Sequence, residues 1–334
     1  MVFKVVATVG LVGFVLSKVE LGEVGARLAR TGPVEAVWVW GAFGLPSLVA
    51  AQRMRTFISL FGGRLGLVST FRIFLLGHGY NFFLPGISGG DAVMMIQVYR
   101  SVDRGKALGA AAVLCDRFIG FFSLGLVTAL LLGLFLFGGL GCVGDFGVVA
   151  LGVSYILLLF IFGPGVGWLL RLSERFKGSR IGWKRGARAL ALIFLRLGRS
   201  RKRYAILGLS LLNHLIYFVL CMVILRIVGV DWGYWAVSLS MGLVFLATCL
   251  PISIGGHGVR EVAFSQCLVL LGGFAHGSVT FEIVTSFSIL LLGFSATWAV
   301  TGLVLGLLSG RRVGAEEKQV ESQAGTKVNP GDDD

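Results

Sequence analysis

Five charged residues stand inside stretches that are otherwise apolar: Asp91, Asp116, Arg117, Arg260 and Glu261. Charge in such surroundings is expensive and faces a cavity or a partner of opposite sign. Asp116 and Arg117 adjoin on one predicted helix, where successive side chains point about 100° apart, so each is expected to find its partner on another element. Asp91 opens a short apolar segment behind the turn "LPGISGG", and Arg260 and Glu261 open another behind "LPISIGGHGV". A cation at a helix start opposes the macrodipole, so Arg260 calls for a compensating anion. Backbone N–H groups at a glycine-rich helix start, together with arginine, form a natural phosphate site. Lipid headgroups supply phosphate.

The solvent of these elements follows from composition. With 56% apolar and 14% charged residues over 334 positions, and a mean hydropathy of +0.87, the chain departs far from soluble domains, whose charged fraction is about a quarter. The fold class is an all-α polytopic membrane protein. Cys115, Cys142, Cys221, Cys249 and Cys267 are scattered without CxxC spacing and read as small buried hydrophobes. No disulfide, metal or cofactor is expected. Runs near 34–51, 65–84, 106–137, 146–170, 204–226, 235–250 and 282–308 reach or approach the roughly 20 residues a bilayer needs, and residues 5–16 form a short first span. After Gly310 the composition turns polar, and 311–334 are expected to be a disordered cytoplasmic tail.

Basic loops stay on the cytoplasmic side. Segment 171–203 holds twelve of the thirty Lys and Arg residues. Arg53, Arg55 and Arg64 mark a second inside loop, and Arg100, Arg104 and Lys106 a third, which places both termini in the cytoplasm. Residues 65–99 then start and end inside, yet the piece behind Gly90 has about nine apolar residues, roughly 14 Å of helix. The chain is expected to enter, break at Pro85–Gly90 and return, a re-entrant hairpin whose irregular backbone must be covered by protein or line a wet cavity. The same make recurs 166 residues on: Leu84, Pro85, Gly89 and Gly90 match Leu250, Pro251, Gly255 and Gly256. Paired Pro/Gly breaks in corresponding halves point to an inverted repeat with a site at its midplane. We therefore expect about six full transmembrane helices plus two re-entrant hairpins, in one domain over 1–310 with halves 1–170 and 204–310 joined by 171–203.

"YNFFLPGISGGD", "LCDRFIGF" and "LPISIGGHGVREVAF" resemble the signature segments of the lysylphosphatidylglycerol synthase/flippase-like transmembrane family, in family order over about 5–308. The resemblance implies a lipid translocase, with Asn81, Gly89, Gly90, Asp91, Arg117, Gly255, Gly256 and Arg260 binding an anionic headgroup. It makes Asp116 and Glu261 supporting or proton-coupling residues, and Pro85 and Pro251 the hairpin breaks. The short polar tail leaves no room for a synthetase domain, so the chain resembles stand-alone members, and a lipid-synthesising enzyme is a candidate partner.

Segment 171–203 places Arg185, Arg188, Arg196, Arg199 and Arg203 on one helical face, the pattern of an interfacial helix on an anionic leaflet; a purely topogenic role fits the same charge. Nucleic acid is not an expected partner, since the charge lies between spans. Three other classes are carried: a transporter of a small charged solute or ion, a membrane scaffold, and a rhomboid-like protease using Ser88 of "GISGG" with His214 or His257. His78, His214, His257 and His276 lack paired metal-ligand spacing. Ser88→Ala discriminates the protease: a translocase should keep most of its lipid transfer, measured with leaflet-specific labels in liposomes, whereas a protease loses all activity.

Overall fold

A computed structural model of the chain describes residues 13–14, 17, 19–29, 31–83, 89–102, 106–137, 196–248, 258–271 and 281–325. These residues build ten helices and no strand: α1 (Leu21–Ala29), α2 (Pro33–Ala42), α3 (Gly44–Leu60), α4 (Leu67–Phe83), α5 (Gly89–Ser101), α6 (Lys106–Phe137), α7 (Lys202–Ile227), α8 (Tyr234–Thr248), α9 (Val259–Leu271) and α10 (Phe281–Gly325). Among the described residues, four stretches are long and apolar enough to cross a membrane: Pro33–Leu60, Ala111–Phe135, Lys202–Ile227 and Glu282–Gly306. Two further expected spans, 146–170 and most of 5–16, lie outside the described residues, as do both hairpin breaks with Pro85 and Pro251, and segment 171–195.

Two expectations need correction. The run 34–51 continues as helix to Leu60, so Arg53 sits within α3 and is 4% exposed; it marks no loop. Only Arg55 and Arg64 remain near that end. The helix can carry Arg53 inward because Asp116 neutralises it there. Beyond Gly310, α10 stays helical through Gly325 where an unstructured tail was expected. Segment 311–325 is rich in Glu, Gln, Lys, Arg and Ala, which hold helical backbone well without a core.

The order long helical stretch, two shorter helices, long helix occurs twice, from Pro33–Leu60 (α2 with α3) to α6 and from α7 to α10. The halves also pack in reciprocal fashion: α3 lies against α7, α10 against α4, and α6 against α8. Helices α3 and α7 run antiparallel, since Ser59 meets Lys202, Arg53 meets Ser210 and Phe43 meets Tyr217 along their lengths. This pair of counterparts runs in opposite directions, as an inverted repeat requires.

Each short pair is tightly joined. In α4 and α5, Gly90 lies against Gly77 and Asn81, Met94 against Gly77, and Val102 beyond α5 against Gly63 before α4. The arms are therefore antiparallel, and α5 returns to the end where α4 began. Its 13 residues amount to roughly 20 Å of helix, short of a hydrocarbon core of about 30 Å. Helix α10 organises both pairs. Leu75 packs on Gly302, Leu76 on Gly306, and a Cβ on Gly79 would come within 2.6 Å of the Ala299 carbonyl, so α4 and α10 are antiparallel. On the same helix Arg260 of α9 reaches the Ser288 carbonyl, and Phe264 meets Phe287 at 5.2 Å between ring centroids. The starts of α5 and α9 thus approach from opposite ends of α10 toward its segment 288–299, about 16 Å of helix at 1.5 Å per residue.

The surface carries the apolar side chains Val37, Trp38, Val68, Phe118, Leu130, Leu215 and Val304, while Thr70, Asp116, Ser210, Ser240 and Ser286 are buried. Apolar outside and small polar inside is how a membrane bundle packs, because lipid gives no hydrophobic drive to bring helices together. Close glycine approach supplies that drive here. Gly302→Leu should push α10 off α4 and cost about 1–3 kcal/mol by overpacking. The unfolding midpoint in detergent should fall, while Gly293→Leu, where nothing lies within 4 Å of the added Cβ, leaves it unchanged.

Candidate functional site

The start of α5 is assembled by three elements. Gly90 donates its amide N–H to Asn81 Oδ1 of α4 at 2.8 Å, and Asn81 Nδ2 donates to Asp91 Oδ1 at 3.1 Å. The same Asp91 oxygen accepts from Arg117 Nε of α6 at 3.0 Å. The Arg117 guanidinium lies 5.2 Å over the Phe74 ring and turns Nη2 toward Met94 Sδ at 3.6 Å. Asn81, Gly90, Asp91 and Arg117 are thereby brought together as the sequence suggested, with Gly89 half-buried beside them. The Gly90 amide is spent on Asn81 and is not free to bind a ligand.

At the start of α9 the solution is more local. Gly258 has φ 81°, in the left-handed region that suits glycine, and donates its N–H to Glu261 Oε2 at 2.7 Å. A glutamate three residues into a helix reaching back to the first amide is half of a capping box. Glu261 Oε1 takes Arg260 Nη2 at 3.0 Å and Nε at 3.3 Å, and Nη2 also reaches the Ser288 carbonyl of α10. The conflict between Arg260 and the helix dipole is met by Glu261 without an outside anion. Gly255, Gly256 and His257 lie outside the described residues.

Asp116 does not belong to this group. It is 1% exposed and binds Arg53 through both oxygens, Oδ1 to Nε at 2.6 Å and Oδ2 to Nη2 at 3.0 Å, while Arg53 Nη1 donates to Ser210 Oγ of α7 at 3.1 Å. One turn further along α6, a Cβ on Gly120 would stand 3.1 Å from Arg53 Nη2, so glycine lets the guanidinium lie flat on the helix. His214 of α7 continues the seam, its Nε2 2.9 Å from Ser123 Oγ and 3.2 Å from the Gly120 carbonyl oxygen. Sequence reasoning missed Arg53, Ser210, Gly258 and the His214–Ser123 contact. A buried aspartate demands a cation, and Arg53 next to the apolar run 34–51 was the available signal.

A family model described as the lysylphosphatidylglycerol synthase TM region matches residues 1–294. The chain belongs to that family. For a member of the lysylphosphatidylglycerol synthase transmembrane family, all-helical and multi-pass, a role in membrane lipid chemistry follows. No curated protein and no solved structure matches the chain. Among the described residues no group of three His, Cys, Asp or Glu side chains is placed to hold a metal ion.

Asn81 joins Gly90 to Asp91, so Asn81→Leu strands a buried amide and frees the carboxylate that holds Arg117. Leaving such groups unpaired costs about 1–3 kcal/mol. We expect a lower unfolding midpoint in detergent for Asn81→Leu, with Asn81→Asp intermediate because it still accepts from Gly90 but repels Asp91.

Proposed function

We propose that this membrane protein is a translocase that moves a lipid bearing an anionic phosphate headgroup between leaflets, with Arg117 and Arg260 receiving the headgroup. A headgroup crossing hydrocarbon alone loses its hydrogen bonds and charge solvation, at a cost of several kcal/mol per group. Charged donors placed part-way along the path lower that barrier. No covalent step is needed, so the reading is of a transporter and not an enzyme.

The position of Arg117 on α6 carries the proposal. Its side chain is 36% exposed, and at 100° per residue it points about 40° from Phe121, about 60° from Leu114 and about 100° from Phe118. Leu114, Phe118 and Phe121 form an exposed apolar stripe at 44%, 52% and 50%, the face a bilayer would cover. A guanidinium open beside a lipid-facing stripe suits a ligand that arrives sideways from the bilayer. A water-soluble solute would want the same charge at an aqueous mouth. At the converging helix starts, Asp91 and Glu261 orient the two arginines, and Glu261 also caps its own helix.

Topology follows from where the basic residues gather. Lys202 reaches Ser59, Gly63 meets Val102, and Arg55 binds the Leu65 carbonyl, so the basic ends of α3 and α5 and the start of α7 share one end of the bundle. By the positive-inside rule that end faces the cytoplasm, both termini with it, in a cell inner membrane. Segment 171–203 would rest on the anionic leaflet there, and an enzyme that makes the lipid is the partner this reading calls for.

In liposomes holding a labelled anionic phospholipid, Arg117→Gln and Arg260→Ala should each lower leaflet exchange by at least roughly tenfold, the loss of one charge-assisted bond, while both variants insert and fold. Unchanged exchange removes that arginine from the site. Uptake of free inorganic phosphate without lipid exchange replaces the lipid reading with solute transport.

A further inference from the structure

Asp116 and Arg117 are sequence neighbours with different tasks, and the wheel of α6 shows how they are linked. Asp116, Gly120 and Ser123 lie within about 60° of one another at 100° per residue, and all three touch the α3/α7 seam through Arg53 and His214. The stripe of Leu114, Phe118 and Phe121 falls on the opposite side. Arg117 lies between them, about 100° from Asp116, where it meets Asp91 and Phe74. Turning α6 one way carries Arg117 into lipid; turning it the other way brings it against α3 and away from Asp91.

Apolar faces alone do not hold a membrane helix at one rotation, since they pack against lipid about as well as against other apolar faces. A bidentate guanidinium–carboxylate pair does, because its two parallel hydrogen bonds fix direction as well as distance. Arg53 and Asp116 have side chains 5% and 2% exposed, so neither is open to a headgroup. Arg53 in turn is held across the repeat interface by Ser210.

We propose that Arg53, Asp116 and Ser210 are positioning residues: they pin the rotation of α6 so that Arg117 is presented to Asp91 and to the incoming headgroup. The inference rests on the translocase reading only for its transport readout. The pinning itself is a statement about geometry.

Removing one partner strands a buried charge and endangers folding, so the informative variant replaces both. Arg53→Met/Asp116→Leu leaves no charge behind, and exchanging a buried ion pair for apolar residues of similar size is often neutral for stability. Spin labels at Ile96 of α5 and Phe118 of α6, both exposed, report the rotation of α6 by their separation. In the folded double variant we expect the distance distribution to shift or broaden. The lipid concentration for half-maximal exchange should rise roughly tenfold, as when a supporting group misplaces a binding residue. A variant that is folded, with an unchanged label distance and unchanged half-saturation, overturns the proposal and leaves the pair a role in stability alone. Should the double variant fail to fold, Ser210→Ala, which loosens Arg53 without stranding a charge, takes its place with the same two readouts and a smaller expected shift. If α6 turns in either variant while the unaltered chain exchanges no lipid, the pinning stands and the translocase reading falls.

Discussion

Two helix starts interrupted among apolar neighbours must have their peptide N–H groups satisfied by protein, because hydrocarbon offers none of the hydrogen bonds that water would. Much of the fold's centre can be read as the answer. At α5 the acceptor is Asn81, brought from the preceding arm; at α9 it is Glu261, from within the helix itself. Both solutions place a carboxylate within reach of an arginine, and both need glycine where the chain turns. A site rich in charge is thus a by-product of breaking a helix in this solvent. Its use for ligand binding requires that some donors remain unspent and accessible, which the partial exposure of Arg117 supplies.

The buried pair of Arg53 and Asp116 answers a different need. Soluble helices are rotated into place by an apolar stripe facing a core, and a membrane helix has no such drive. Desolvating two charges costs several kcal/mol for each ion, so the pair is weak evidence for stability. What it does supply is direction. Together with the contact of His214 and Ser123, it ties α6 to α3 and α7, and hence one half of the repeat to the other.

Sequence reading placed α4, α5, α8 and α9 within about two residues of their ends, because length and apolarity in a bilayer fix where helices run; it ended the first long stretch at 51, short of Leu60, and did not foresee α1. Asn81, Asp91 and Arg117 were grouped by the family resemblance; the residues alone said only that Arg117 must find its partner on another element. Arg53 was not legible. A charge next to an apolar run resembles a loop marker until its partner is known, and Asp116 lies 63 positions away. The partner of Arg260 was missed for the opposite reason: neighbours one residue apart on a helix do not ordinarily face each other, yet an arginine side chain is long enough to fold back onto Glu261.

The two halves, alike in topology, hold their arginines in unlike ways. Arg260 and its carboxylate are on one helix, so movement of α9 carries the pair along whole, apart from the contact with the Ser288 carbonyl on α10. Arg117 is on α6 and Asp91 on α5, so their 3.0 Å contact lasts only while those helices keep their register. A shift of α5 against α6, two helices of the same half, would part Arg117 from Asp91, whereas the charge at α9 stays paired because both of its members lie on one helix. A separated Arg117 would bind an anion most strongly at the moment the seam beside it opens, and would return to Asp91 as it closes. Under the proposed translocase reading, this asymmetry makes Arg117 the arginine that can open to an incoming headgroup and Arg260 the one that stays paired.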